Sequence, residues 1–449
     1  MSLSEEEQFY SGYEAYKSGN ISVAIEIFEK LSHEAKDIAL RVKSKFLLGV
    51  SLLFRYDCSK NESDLRRAIA VFGEIYNYMK ESPKFLYNYG YAHYLNGNMS
   101  EAINLWMRAV EINNNFIPAL QGLSKVLYEA NDPRAYEFAK RLYSISHDNI
   151  FALITLARIC RARGDTTNAT EFYHAIFDRY LSELHLERER EEQMREEIGL
   201  LYGFQISGVE KLRELAVEYA EYLLDIEQYD EARNIAALII DEDRKNAKAN
   251  YIMAYSIYMP NSIIMRSWDK GIDYIREKIM LYDDERSKAL VSALRYINTA
   301  LESSFDMRYK ALKILILAEM RSFQQARELI RYQILDEPGL FNLLKAIILL
   351  LEESEDIEEI KDAFRIACEK NTGTLRTISY YLYSQFLVST NDKKMIEIAI
   401  TLLESLIMVD RFFAKAYPLL MTCYTLTGRY KEALMTEKKY NAITKMRLF

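Results

Sequence analysis

The sequence predicts an all-α chain assembled from repeated helical pairs, on three observations. Glycine and proline are scarce, with 15 Gly and 6 Pro in 449 residues. Reverse turns and phosphate-binding loops draw on glycine, which reaches positive φ without steric cost, so this scarcity argues against a sandwich, a barrel or a nucleotide-binding α/β sheet. Hydrophobic residues make up 50% and charged residues 28% of the chain, enough for a core with a solvated surface and too apolar for a disordered chain. Finally, one spacing of small and bulky residues returns along the chain, the mark of a repeat architecture.

That spacing defines the elements in order. Ser11-Gly12 is followed by Gly19-Asn20, Ala24, Phe28 and Leu31. Asn88-Tyr89-Gly90 is followed in the same way by Gly97-Asn98, Ala102, Trp106 and Ala109. Ala157, Gly164-Asp165, Ala169, Tyr173 and Ile176 repeat it, as do Ala220, Tyr229, Ala232, Ala236 and Ile239, and near the end Met421, Gly428, Ala433 and Tyr440. Ile314, Phe323, Ala326, Ile330 and Pro338 form a looser copy. Small residues in the first helix and at the start of the second let two antiparallel helices approach closely. The Gly-Asn or Gly-Asp between them ends the first helix and caps the next. The aromatic and the later apolar residue fill the space toward the following pair.

The pattern resembles the tetratricopeptide repeat, a helix–turn–helix unit of 34 residues. Blocks starting at 83, 117 and 150 are separated by 34 and 33 residues, those at 213 and 247 by 34, and those at 307, 341 and 375 by 34 each. With further starts near 5, 42 and 414, about eleven blocks cover most of the chain. The resemblance implies a right-handed α-α superhelix, a solenoid working as a protein-interaction scaffold. Block 42 carries extra residues around Tyr56–Glu62, expected in the turn, and blocks 247 and 375 need extra turn residues near Pro260–Met265 and Ser389–Lys394. Two stretches fit poorly, 184–212 and 281–306.

The expected organisation is therefore an N-terminal array over 1–183, a charged helix and glycine-containing bend over 184–212, and a C-terminal array over 213–449. Glu183–Glu197 is rich in Glu and Arg, and Gly199, Gly203 and Gly208 follow it; a solvated helix with a bend, or a hinge, are both consistent with this. The last block is basic, with Arg429, Lys431, Lys438, Lys439, Lys445 and Arg447 against Glu432 and Glu437. It reads as the soluble helix that closes the exposed end of a solenoid.

Charge and motifs narrow the function. The formal charge of −8 opposes non-specific attraction to nucleic acid or anionic lipid. The N-terminus lacks a signal-peptide pattern and no stretch is long and apolar enough to span a bilayer. Cys58, Cys160, Cys368 and Cys423 are scattered without CxxC spacing, as expected of free thiols in the cytoplasm. No phosphate-loop, dinucleotide, zinc-protease or nucleophile-elbow motif occurs. His33, His93, His147, His174 and His185 are dispersed. The expectation is no enzyme, no cofactor and no metal.

Binding is expected on the concave surface, which the first helix of each pair lines. The stripes there are Phe9, Tyr13 and Tyr16; Tyr87, Tyr91 and Tyr94; Gln121, Lys125 and Tyr128; Ile154, Arg158 and Arg161; and Tyr251, Tyr255 and Tyr258. Such stripes are either core or groove. As groove, the tyrosines offer large rigid contact area with polar tips, and Lys125, Arg158 and Arg161 would attract an acidic residue or carboxylate terminus of a partner peptide. Some members of the family grip C-terminal carboxylates with a Lys/Asn/Arg clamp. Of the matching positions only Asn88 fits, so that specificity is not carried over. The expected partner is a protein or peptide segment. The alternative, an RNA-binding helical-repeat protein, predicts a basic groove and a positive chain.

Overall fold

The computed structural model describes residues 4–187, 209–281 and 283–446. Among the described residues every regular element is a helix. The chain divides into two compact units, Met1–Tyr219 and Ala220–Phe449. Most of the segment expected to join two arrays, residues 188–208 within 184–212, lies outside the described residues.

The N-terminal unit holds five helical pairs: α1 (Glu5–Lys17) with α2 (Ile21–Glu34), α3 (Ile38–Ser59) with α4 (Glu62–Met79), α5 (Pro83–Leu95) with α6 (Met99–Ile112), α7 (Ile117–Glu129) with α8 (Arg134–Ile145), and α9 (Ile150–Ala162) with α10 (Thr166–Glu187). The start of α11 (Val209–Asp225) completes it. Each second helix packs on its own first helix and on the first helix of the next pair. First helices also touch in succession, from α1 through α3, α5 and α7 to α9, which makes them the inner layer of the stack. This is the packing of a tetratricopeptide-like array, in which every pair buries its apolar stripe on its neighbours.

The tight spots fall at the small residues. A Cβ on Gly90 would lie 2.5 Å from the Trp106 indole nitrogen, and one on Gly122 would lie 2.9 Å from the same ring. The fully buried indole thus fills the space between the first helices α5 and α7, and its Nε1 donates to the Tyr87 carbonyl at 3.1 Å. The turns inside pairs follow one rule. Gly19, Gly97, Gly164 and Gly428 take positive φ there, and Lys60, Asn131, Glu227, Arg321, Glu353 and Asn391 hold the same left-handed conformation without being glycine. Six turns therefore carry backbone strain that glycine relieves in the other four, which explains why glycine alone marked too few of them.

The C-terminal unit continues from α11 with α12 (Tyr229–Glu242), α13 (Ala247–Asn261), α14 (Ile263–Ser267), a 3₁₀ turn (Trp268–Lys270) and α15 (Ile272–Met280). Then come α16 (Asp284–Ser303), α17 (Met307–Glu319) with α18 (Phe323–Gln333), and α19 (Pro338–Leu351) with α20 (Ile357–Lys370). Two more pairs follow, α21 (Gly373–Ser389) with α22 (Lys393–Val409) and α23 (Ala416–Leu426) with α24 (Tyr430–Met446). Helix α24 exposes Lys431, Lys438 and Lys439, and also Tyr430, Leu434 and Met435; Arg447 lies outside the described residues.

Two expectations are corrected here. Residues 281–306, expected to fit the repeat poorly, hold a regular repeat helix: α16 is the second helix of the pair that α13 begins, and the two pack along each other. Its buried Ala293, Ile297 and Ala300 keep the spacing of Ala102, Trp106 and Ala109. What broke the period is the intervening segment 262–281, inserted between the two helices of one pair. The extra residues of blocks 42 and 375 lengthen helices rather than turns. Helix α3 has 22 residues and α21 and α22 have 17 each, because apolar periodicity continues through Leu52, Leu53 and Tyr56 in one and through Leu382, Phe386 and Leu387 in the other.

Candidate partner-binding site

The expected groove residues separate into core and surface. Tyr16, Tyr87, Asn88, Tyr91 and Tyr258 belong to the core, which corrects their assignment to the groove. Tyr87 is 1% exposed and stacks on Trp106 at 6.1 Å, and Tyr91 stacks on Tyr87 at 6.3 Å. Asn88 is 0% exposed and its amide donates to the Lys84 carbonyl one turn back at 2.8 Å, so the one clamp-like residue is spent within its own helix. Tyr16 packs edge-on to Phe54. Tyr258 is fully buried, and its hydroxyl donates to the Glu319 carboxylate at 3.0 Å. Close packing of the stack accounts for this: the neighbouring first helix meets Tyr16 through Phe54 and Tyr258 through Glu319, while the second helix α6 covers Tyr87 with Trp106.

The rest are half-buried. Phe9 packs on Phe28 at 5.7 Å, and Tyr13 lies beneath the Lys17 ammonium. Tyr251 stacks on Tyr309 at 4.6 Å with the Arg308 guanidinium over its other side at 5.7 Å, and Tyr255 adjoins Tyr251 at 5.8 Å. Burial raises the phenols of Tyr251 and Tyr255 above their ordinary range, so both stay neutral hydrogen-bonding groups.

Four of the expected residues converge. Lys125 on α7 donates to the Tyr94 hydroxyl at 3.1 Å. Lys125, Tyr128 and Arg158, with Ile154, line one cavity of about 240 Å³ between α7, α9 and α11. Phe151 and Leu215 form its apolar wall, and Lys211, Glu129 and Glu214 stand at its polar edge. Nothing in the repeat spacing singles out Lys211, because it falls within 184–212, a stretch that fits the period poorly.

Arg158 and Arg161 do not stand ready for a partner's carboxylate. Arg158 forms a two-pronged pair with Glu218 on α11, at 2.8 and 2.6 Å. The Tyr173 hydroxyl donates to the same carboxylate at 2.8 Å, and Arg161 bonds the Tyr173 hydroxyl from the other side. The ring of Tyr173 lies flat on Tyr219 at 5.6 Å. Burial raises the Glu218 carboxyl, and the hydrogen bonds and charge of Arg158 outweigh it, holding the group below its ordinary range. A carboxyl depressed in the folded chain adds stability above the ordinary carboxylate range, and that contribution is lost as pH falls through the folded value. The stability gap between the native chain and Glu218→Gln is therefore expected to narrow as pH falls from about 7 through the ordinary carboxylate range and below it, as thermal melts of both would show.

Among the described residues no three metal-capable side chains converge, and no helix is long and apolar enough to cross a membrane. Cys160, Cys368 and Cys423 are buried, and burial pushes the thiols of Cys368 and Cys423 up to about 12, which leaves them unreactive near neutrality.

Among the described residues the fold is that of a tetratricopeptide-like helical-repeat protein, a stack of helical pairs in which every regular element is a helix. No family model and no curated protein matches the sequence. Among solved structures the chain is similar to a tetratricopeptide repeat protein from Parabacteroides merdae, with 12% identity over 70% of this chain and 100% of that one and a TM-score of 0.39. It is similar to the Cut9–Hcn1 hetero-tetramer of the APC/C, with 12% identity over 99% and 94% and a TM-score of 0.38. It is also similar to the human IFIT1 dimer with m7Gppp-AAAA, with 13% identity over 99% and 91% and a TM-score of 0.37.

Proposed function

We propose that the chain is a protein-interaction scaffold whose N-terminal unit holds a partner segment over the cavity between α7, α9 and α11. The observation that carries this reading is the convergence of Lys125, Tyr128, Ile154 and Phe151 with Lys211 at one apolar cavity. A cavity of about 240 Å³ suits one large apolar side chain, and apolar anchors in such pockets dominate interface energetics. The ammonium groups of Lys125 and Lys211 at its edge favour an acidic residue beside that anchor. Glu129 and Glu214 share the same edge, so the rim is mixed in charge. One acidic side chain can sit against an ammonium there, but the continuous basic track that a phosphate backbone needs is missing from this cavity, and the RNA-binding alternative is the weaker reading.

The test is affinity capture from the native lysate with the intact chain and with a Tyr128→Ala, Lys211→Glu variant. The intact chain should retain a discrete protein, and the variant should lose at least about tenfold of it, a change of roughly 1.4 kcal/mol. Equal recovery by both would refute the groove. Retention of RNA at moderate salt would favour the alternative.

A further inference from the structure

The inserted segment 262–281 lies across the inner layer of the C-terminal unit. Three fastenings hold it. At its start, the buried Glu319 carboxylate on α17 accepts from the Ser262 hydroxyl at 2.5 Å and from the backbone N–H groups of Ile263 and Ile264 at 3.0 Å each. In its middle, Trp268 stacks on Phe413 at 6.0 Å and meets the Tyr381 ring edge-on at 5.8 Å. Beside that ring the Asp269 carboxylate pairs with Lys415, and the Asp269 carbonyl accepts from the Tyr381 hydroxyl at 3.3 Å. At its end, Arg276 donates to the Leu350 carbonyl at 2.6 Å and pairs with Glu353 at 3.2 Å. The helices touched are the first helices α17, α19 and α21 and the approach to α23, the surface on which a helical-repeat array presents itself to ligands.

The surface is larger than its occupant. Next to Gly271 a cavity of about 240 Å³ remains, walled by Ile347, Leu350, Leu382, Phe386 and Leu419. Gly271 has no side chain to enter it, and a Cβ there would meet nothing closer than Gln385 at 3.9 Å. The cavity opens to solvent, so segment 262–281 leaves part of the apolar surface beside it uncovered.

We infer that the inner face of the C-terminal unit is a receptor for a partner segment carrying an aromatic residue followed directly by a carboxylate and then by bulky apolar residues, a position that 262–281 fills in cis. The aromatic seat is the Tyr381–Phe413 pair, the carboxylate seat is Lys415, and the apolar seat is the cavity beside Gly271. The partner competes with the chain's own segment, so the receptor is masked until a better-fitting sequence replaces Trp268 and Asp269 in their seats. This receptor belongs to a different unit from the cavity between α7, α9 and α11 and does not rest on a partner binding there.

The test uses the full chain with residues 263–281 replaced by a glycine–serine stretch of equal length, and a fluorescein-labelled synthetic peptide spanning residues 262–281 as the probe. The replaced chain is expected to bind the peptide saturably, the intact chain at least about tenfold more weakly. Lys415→Glu in the replaced chain should weaken binding by about tenfold or more. Should the replaced chain fail to fold, the intact chain with Trp268→Ala and Asp269→Lys serves instead, and it should gain about tenfold in peptide affinity over the native chain. No binding by a folded replaced chain, binding indifferent to Lys415→Glu, or no gain in the double variant overturns the inference. A double variant that turns dimeric overturns it as well, because the face would then serve exchange of the segment between two copies.

Discussion

Replacing Glu319 with alanine is expected to destabilise the C-terminal unit by about 3–5 kcal/mol, the range for removing one partner of a buried, charged network. Its side chain is fully shielded from solvent, yet it carries an ionic bond to Arg286 at 3.0 Å whose guanidinium is itself only 11% exposed. The same two oxygens accept from the Tyr258 and Ser262 hydroxyls and from two backbone N–H groups at the start of α14. Removing the carboxylate leaves a buried cation and several donors without an acceptor, each a desolvated group in a medium that cannot replace water. Glu319→Gln keeps the volume and one oxygen acceptor but brings an NH₂ against those donors, so it should rescue little. The chain has two tryptophans, and in a Trp106→Phe background Trp268 alone reports denaturant unfolding of this unit. A shift below about 1 kcal/mol would mean that water enters and solvates the site.

The second large effect centres on Trp106. Trp106→Ala should cost about 3–5 kcal/mol, as large-to-small changes in closed cores do, because the indole fills the gap between α5 and α7 and satisfies the Tyr87 carbonyl. Gly90→Ala alone should cost about 1–3 kcal/mol by overpacking, since its methyl would meet the indole at 2.5 Å. The informative variant carries both changes. With the indole gone, the added methyl enters free space and the helix exchanges glycine for a better helix former. Gly90→Ala is then expected to turn neutral or stabilising by up to about 1 kcal/mol. Circular-dichroism melts of the four chains supply the cycle; additive losses would show that Gly90 is needed for its backbone and not for the ring it faces.

The pairs were legible in the sequence because close helix contact demands small residues at fixed distances, and Gly90, Ala102 and Trp106 satisfy that demand locally. The second helix α16 was missed, although Ala293, Ile297 and Ala300 keep the spacing, because an inserted segment hides it from any search that counts residues from the preceding block. The site was harder to read. Helical spacing puts Tyr87, Tyr91 and Tyr94 on one stripe, but only the packing of the neighbouring helices, with Trp106 of α6 among them, decides which of them are covered. Arg158 carried the right charge in the right place, and its partner Glu218 is sixty positions further on, across a stretch with no periodicity to fix the register. Segment 262–281 has no repeat signature at all, so its bonds to Tyr381 and Lys415 could be known only from the fold.

An array whose members touch only their neighbours behaves as a one-dimensional chain, and its end can fray pair by pair at little cost. The bonds from Trp268 and Asp269 to Tyr381, Phe413 and Lys415 close a circuit in the C-terminal unit, joining residues 112 and 146 positions apart. The pair α23/α24 then cannot leave without releasing a segment that belongs to the beginning of the same unit. Lengthening one turn to hold this segment adds only roughly 1–2 kcal/mol of closure entropy, since that penalty grows with the logarithm of loop length. A modular stack tied in this way is expected to melt all-or-none, as a globular domain does.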